Sequence, residues 1–129
     1  MVVGIYGASG FGREVLPLVR AAVGSTDKIV FIDDSMPSCE INEIVVMDWN
    51  GFLSIEHEDK QVCIAIADGR IREQLAAKCL RSQVSLLDVF AQNSVVMDEV
   101  TIGGGSIICP FVTLTSNITI GRSFHANLY

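Results

Sequence analysis

The sequence predicts an α/β chain: a small Rossmann-like parallel sheet followed by the first coils of a left-handed parallel β-helix. Three observations predict it. A short apolar strand runs directly into Gly7-Ala8-Ser9-Gly10-Phe11-Gly12 at the N-terminus. Strand-like and helix-like segments then alternate to about residue 88. From Phe90 onward, key apolar positions recur every six residues. The expected organisation is a Rossmann-like unit over 1–88 and about two β-helix coils over 89–129.

Val2 to Tyr6 is an apolar run ending at Gly7, which suits a buried parallel strand. In the turn that follows, Gly7 permits the tight bend, Gly10 lets backbone approach a phosphate, and Gly12 lets helix and strand pack closely. Arg13 to Val23 spaces Val15, Leu16, Val19 and Val23 as one helical face, with Pro17 tolerated only near the helix start. Lys28 to Ile32 is a second strand ending at Asp33-Asp34, where an acidic side chain can bond a ribose hydroxyl. The stretch from Met36 to Lys60 holds one short strand, Ile44 to Met47, and one helix, Asp48 to Ile55. Gln61 to Ala67 is a third main strand ending at Asp68-Gly69. Arg70 to Leu80 is a helix with Ile71, Leu75 and Cys79 on one stripe, and Val84 to Leu87 closes the unit as a strand. Alternation of this kind gives a parallel sheet with right-handed crossovers. Ligands bind at the carboxyl ends of such strands.

Phe90, Val96, Ile102, Ile108, Leu114, Ile120 and Ala126 stand six apart without a break. Four residues after the first six lie Ser94, Val100, Ser106, Val112, Ile118 and Phe124, small or aliphatic except the last, which is large. This hexapeptide pattern predicts a triangular coil with one aliphatic inside each flat side and small residues at the corners. A helical face cannot keep a six-residue period, and a sandwich would alternate every second residue. Two coils end at His125, and Ala126 to Tyr129 only begins a third, so the chain is expected to be part of a longer protein.

Composition narrows the function. Of 129 residues, 50% are hydrophobic and 19% charged, which excludes a disordered chain. The net charge is −6 and no Lys/Arg cluster occurs, so nucleic acid is not an expected partner. No apolar run reaches the roughly 18–20 residues of a membrane span. The four cysteines Cys39, Cys63, Cys79 and Cys109 lie far apart, the pattern of reduced thiols in a cytoplasmic protein rather than a metal site. His57 sits among Glu56, Glu58 and Asp59 and reads as surface; His125 is a weak candidate base in the last coil.

The stretches Ile5 to Val15, Phe31 to Asp34, Ile64 to Arg72 and Phe124 to Tyr129, with the hexapeptides between, resemble the bacterial sugar O-acyltransferases of the sialic-acid O-acetyltransferase type. That family includes N-acetyltransferases acting on UDP-linked amino sugars. The resemblance implies a trimeric enzyme using acetyl-CoA as co-substrate, with a UDP-sugar as acceptor and no metal. It implies substrate contacts from Gly7, Ala8, Ser9, Gly10, Phe11, Gly12, Asp33, Asp34, Asp68 and Gly69. Many members have His where this chain has Phe11. The family's catalytic His is expected about five residues past Tyr129, and the acyl-CoA cleft lies against later coils. The alternatives are a UDP-sugar-binding module without chemistry and a small NAD-binding domain. The lack of a second mononucleotide half counts against the NAD reading.

Overall fold

The structure is a computed structural model, described here for residues 1–126. The element order is β1 Val2–Tyr6, α1 Gly10–Ala22, β2 Lys28–Ile32, β3 Cys39–Ile41, β4 Ile44–Met47, α2 Trp49–Leu53, β5 Lys60–Ile64, α3 Gly69–Arg81 and β6 Ser85–Leu86. Seven two-residue strands follow: β7 Val89–Phe90, β8 Val95–Val96, β9 Thr101–Ile102, β10 Ile107–Ile108, β11 Thr113–Leu114, β12 Thr119–Ile120 and β13 His125–Ala126.

The first six strands form one sheet in the order β3-β4-β2-β1-β5-β6. All pairs are parallel except β3 with β4. Central β1 is fully buried, as its unbroken apolar sequence requires. Helix α1 begins at Gly10, three residues earlier than the sequence predicts, so Gly10 and Gly12 lie in its first turn. Pro17 consequently falls in the helix interior, where it cannot donate to the Arg13 carbonyl. The stretch before β4 holds a hairpin that the sequence does not announce. Asn42 and Glu43 join β3 to β4 with φ of 51° and 66°, the paired positive values of a type I′ turn. In α3 the buried stripe passes through Ala76 and Cys79, whereas Ile71, in the first turn, is 44% exposed and not on it.

Beyond β6 the chain makes three parallel ladders: β7-β10-β13, β8-β11 and β9-β12. Each strand pairs with the one eighteen residues on, Val89 with Ile107 and Ile107 with His125, for example. The six-residue period reappears in the backbone. Glu99, Gly105, Phe111, Asn117 and Ser123 all have positive φ, at one corner position per repeat. Ser94 and Ser106 sit at the small-residue position and bond back to the carbonyls of Ala91 and Gly103. Ser106 is fully buried, and its Oγ also accepts from the Phe124 amide in the next layer. A Cβ on Gly103 would lie 2.6 Å from backbone atoms of Gly121 and Arg122, so only glycine allows these layers to stack.

The key aliphatics do not all lie inside. Ile108 and Leu114 are buried, but Phe90 and Val96 are 44% and 42% exposed, because no layer precedes them in their ladders. The opposite face of the first ladder is what joins the two parts. Val89 and Ile107, one residue before the key positions, are fully buried in a single cluster with Val3, Ile5, Val15, Leu16, Val19 and Phe31. Burial of each such side chain is worth about 1.5–3 kcal/mol. Asp88 reinforces the junction by accepting from the amides of Gly105 and Ser106. Ile107→Ala should lower the unfolding free energy by about 2–5 kcal/mol. Phe90→Ala should cost less than half as much, both read from urea denaturation.

Candidate functional site

The carboxyl ends of β1, β2 and β5 lie side by side, and the loops leaving them carry the residues singled out in the sequence. Gly7 turns at φ +107°, with the Ala65 carbonyl so close that a Cβ would sit 2.7 Å from it. Gly12 packs on the Gly7 carbonyl, where a Cβ would come within 1.9 Å. These two glycines hold the turn against the sheet. Gly10 has open space around it, as an approach position requires. Ser9 is the N-cap of α1 but makes no side-chain cap bond, and no acidic residue stands in the first turn. The first turn of α1 thus carries neither a side-chain cap nor an acidic residue of its own.

Asp33 and Asp34 diverge in role. Asp33 accepts from the Ala8 amide at 3.1 Å through one oxygen and from the Ser35 amide and hydroxyl through the other. It thereby clamps the glycine-rich turn to the end of β2. Burial pushes the Asp33 pKa up, but the bonds from Ser35 and Ala8 outweigh it and the net shift is down. Asp34 points the other way. It accepts from the Tyr6 hydroxyl and the Trp49 amide, and Lys78 Nζ lies 3.6 Å from it. Burial raises its pKa and the Tyr6, Trp49 and Lys78 contacts more than reverse that. Tyr6 is shifted upward, by burial first and then by its bond to Asp34 and that charge. Lys78 Nζ also stands 5.1 Å above the Trp49 ring, and Trp49 stacks on Tyr6.

Asp68 caps α3, accepting from the amides of Arg70 and Ile71, and Gly69 is the first residue of that helix. Phe11 reaches across to the ladder segment, its ring centroid 5.2 Å from that of His125. His125 is half-buried, and its Nε2 has no hydrogen-bond partner among the described residues. Burial and the nearby Arg72 charge lower its pKa to about 4, against a weaker opposite pull from the Ile64 carbonyl. A cavity of about 390 Å³ opens here, lined by Phe11, Glu14, Ala67, Arg72 and His125. A second, of about 310 Å³, lies beyond Arg72 beside Gly69 and Ser123.

The structure thus brings Gly7 to Gly12 and Asp33 together on one edge. Asp34 sits in a separate network with Tyr6, Trp49 and Lys78, none of which the sequence pattern marks. Lys78 lies 72 residues from Tyr6, and no local signal connects them. His57 is exposed, and among the described residues its ring nitrogens pair with the Met1 amino group and the Asp59 amide, which fits its reading as surface. Cys63, Cys79 and Cys109 are buried free thiols and Cys39 is exposed; burial pushes the Cys63 thiol up to about 12. Among the described residues there is no His/Cys/Asp/Glu group able to hold a metal. No described helix is long and apolar enough to cross a membrane.

A family model described as the PglD N-terminal domain matches residues 3–79, more than half of the chain. The chain belongs to that family. It is 38% identical over 130 residues to a GDP-perosamine N-acetyltransferase of Escherichia coli O157:H7, covering 98% of this chain and 59% of that protein. Among solved structures it resembles WeeI from Acinetobacter baumannii AYE, with 46% identity and a TM-score of 0.96 over 100% of this chain and 62% of that one. It also resembles PerB from Caulobacter crescentus in complex with CoA and GDP-perosamine, with 26% identity and a TM-score of 0.80 over 98% of this chain and 60% of that one. The chain therefore spans about three fifths of the length of each of these relatives.

His125 yields a pH prediction. Its folded pKa of about 4 lies below the ordinary 6.5, so between those values the unfolded chain binds more protons. The stability it contributes is full above pH 6.5 and falls as pH drops toward 4. His125→Phe, which keeps the ring against Phe11, should flatten the dependence of Tm on pH across that window.

Proposed function

We propose that this chain is the substrate-binding, N-terminal portion of an acetyl-CoA-dependent acetyltransferase that acylates a nucleotide-linked amino sugar. One observation carries the reading. An uncapped, glycine-rich helix start is clamped by Asp33 at the carboxyl edge of a parallel sheet, in a chain related over nearly its whole length to a named sugar N-acetyltransferase. That edge suits a diphosphate on the α1 N-terminus, with the ribose toward Asp33. Gly7 to Gly12, Asp33, Asp34, Asp68 and Gly69 are the proposed substrate-side residues. Of these, Asp34 and Asp68 act mainly by fixing the loops they bond.

We read residues 1–88 as the nucleotide-sugar unit and 89–129 as the first coils of a left-handed β-helix. The eighteen-residue ladder spacing and the one positive-φ corner per repeat support that reading. The resemblance in sequence implies a UDP-linked acceptor, whereas the curated relative is named for a GDP-linked one, so GDP-perosamine is the first ligand to try. The proposed base is the family His expected past Tyr129; His125, neutral and packed on Phe11, is a wall residue. Trimer formation in the cytoplasm is part of the same proposal, supported by the apolar surface at Phe90, Val95, Val96, Met97 and Phe111. In the whole protein the His base would take a proton from the acceptor amine as it attacks the acetyl thioester; the C–S bond breaks as the amide forms, and the proton passes to the departing CoA thiolate.

Isothermal calorimetry tests the reading. The chain should bind GDP-perosamine or a UDP-linked amino sugar, and Gly10→Ala should weaken that binding at least tenfold without lowering Tm, since its Cβ meets no protein atom. Binding of NAD but of neither sugar nucleotide would overturn it.

A further inference from the structure

Arg72 stands at the junction of the two parts with only some of its donors engaged. Its Nε donates to the Ser123 carbonyl at 3.1 Å. Its Nη1 donates to the carbonyls of Ile66 at 3.1 Å and Ala67 at 2.7 Å. Its Nη2 makes no hydrogen bond among the described residues. Three backbone bonds therefore fix the plane of the guanidinium and leave one amino group to spare. The side chain is half-buried and lines both cavities.

A guanidinium held in this way is suited to phosphate. It is charged at every relevant pH, and its orientation is already fixed before a ligand arrives. Arg122 adds a second positive charge to the smaller cavity, which Glu73 also lines, and Glu14 lines the larger one. The larger cavity also contains Phe11, in the uncapped first turn of α1. The strand order completes the placement. Asp33 follows β2, the glycine-rich turn follows central β1, and the loop bonded by Arg72 follows β5. The loop bonded by Arg72 therefore stands on the opposite side of the glycine-rich turn from Asp33, so a nucleotide with its ribose toward Asp33 and its diphosphate over the turn would run toward Arg72.

We propose that Arg72 is a further substrate-binding residue, its Nη2 donating to the sugar-proximal phosphate of the nucleotide diphosphate. This rests on the nucleotide-sugar reading above. The same residue ties the rim of the site to the ladder segment, so substrate and junction share one side chain.

The test compares nucleoside diphosphate with monophosphate by calorimetry, using GDP and GMP, with UDP and UMP in parallel. The wild-type chain should prefer the diphosphate by about tenfold or more. Arg72→Gln should bring the ratio near one while monophosphate affinity stays within about twofold. Arg72→Lys, which keeps charge but loses the fork, should fall between them and remains informative if the Gln variant does not fold. An unchanged ratio in both variants would overturn the assignment. So would an equal loss for both ligands, the mark of a purely structural arginine. Failure of the wild-type chain to bind any of the four nucleotides would overturn the underlying reading and this inference with it.

Discussion

The ligand-side geometry of this chain depends on α1 being packed on two surfaces. Val15, Leu16 and Val19 share a cluster with Val3, Ile5 and Phe31 of the sheet and with Val89 and Ile107 of the first ladder. Helix α1 also begins at the glycine-rich turn, so whatever fixes its axis fixes the direction of its free amide groups. A dipole and a set of N–H groups bind an anion well only when they are already oriented. The apolar cluster supplies that orientation, and Gly12 against the Gly7 carbonyl sets how closely the helix approaches β1.

Polar contacts then secure the edges of the same arrangement. Asp33 joins the turn to β2, Asp34 joins β1, α2 and α3 through Tyr6, Trp49 and Lys78, and Arg72 joins the β5 loop to Ser123. Each of these contacts spans elements far apart in sequence. The network around Asp34 is partly buried, where charge-assisted bonds are stronger than in water. A ligand arriving at this edge meets loops whose positions are already set.

Much of the architecture was legible in the sequence, for identifiable reasons. β1 reads as buried because every residue from Val2 to Tyr6 is apolar, glycine or aromatic. The six-residue spacing from Phe90 onward is incompatible with a helical face, and it returns as ladders with one positive-φ corner per repeat. The inward and outward assignment was harder to read. Val89-Phe90 and Ile107-Ile108 are apolar at both positions, so the pattern alone cannot tell that Val89 and Ile107 face α1. Corners at Glu99, Phe111 and Ser123 gave no signal, since none is a residue type that favours positive φ. The hairpin at Asn42-Glu43 was hidden for the same reason, glycine being absent from its second position. At the site, the turn and packing roles of Gly7 and Gly12 were readable because they are local. The partners of Asp34 and the bridging role of Arg72 were not, because they arise only when distant segments meet.

The central claim is that sheet, α1 and ladder segment form one cooperative unit. Native-state hydrogen exchange of the full chain at increasing urea tests it most directly. The Ile5 amide in β1 and the Ile107 and Cys109 amides, bonded to the Phe124 and Ala126 carbonyls, should open with the same free energy and the same urea dependence. Opening of Ile107 and Cys109 at clearly lower free energy, with Ile5 still protected, would contradict the claim. It would mean that the ladder segment is a separate part resting on the sheet.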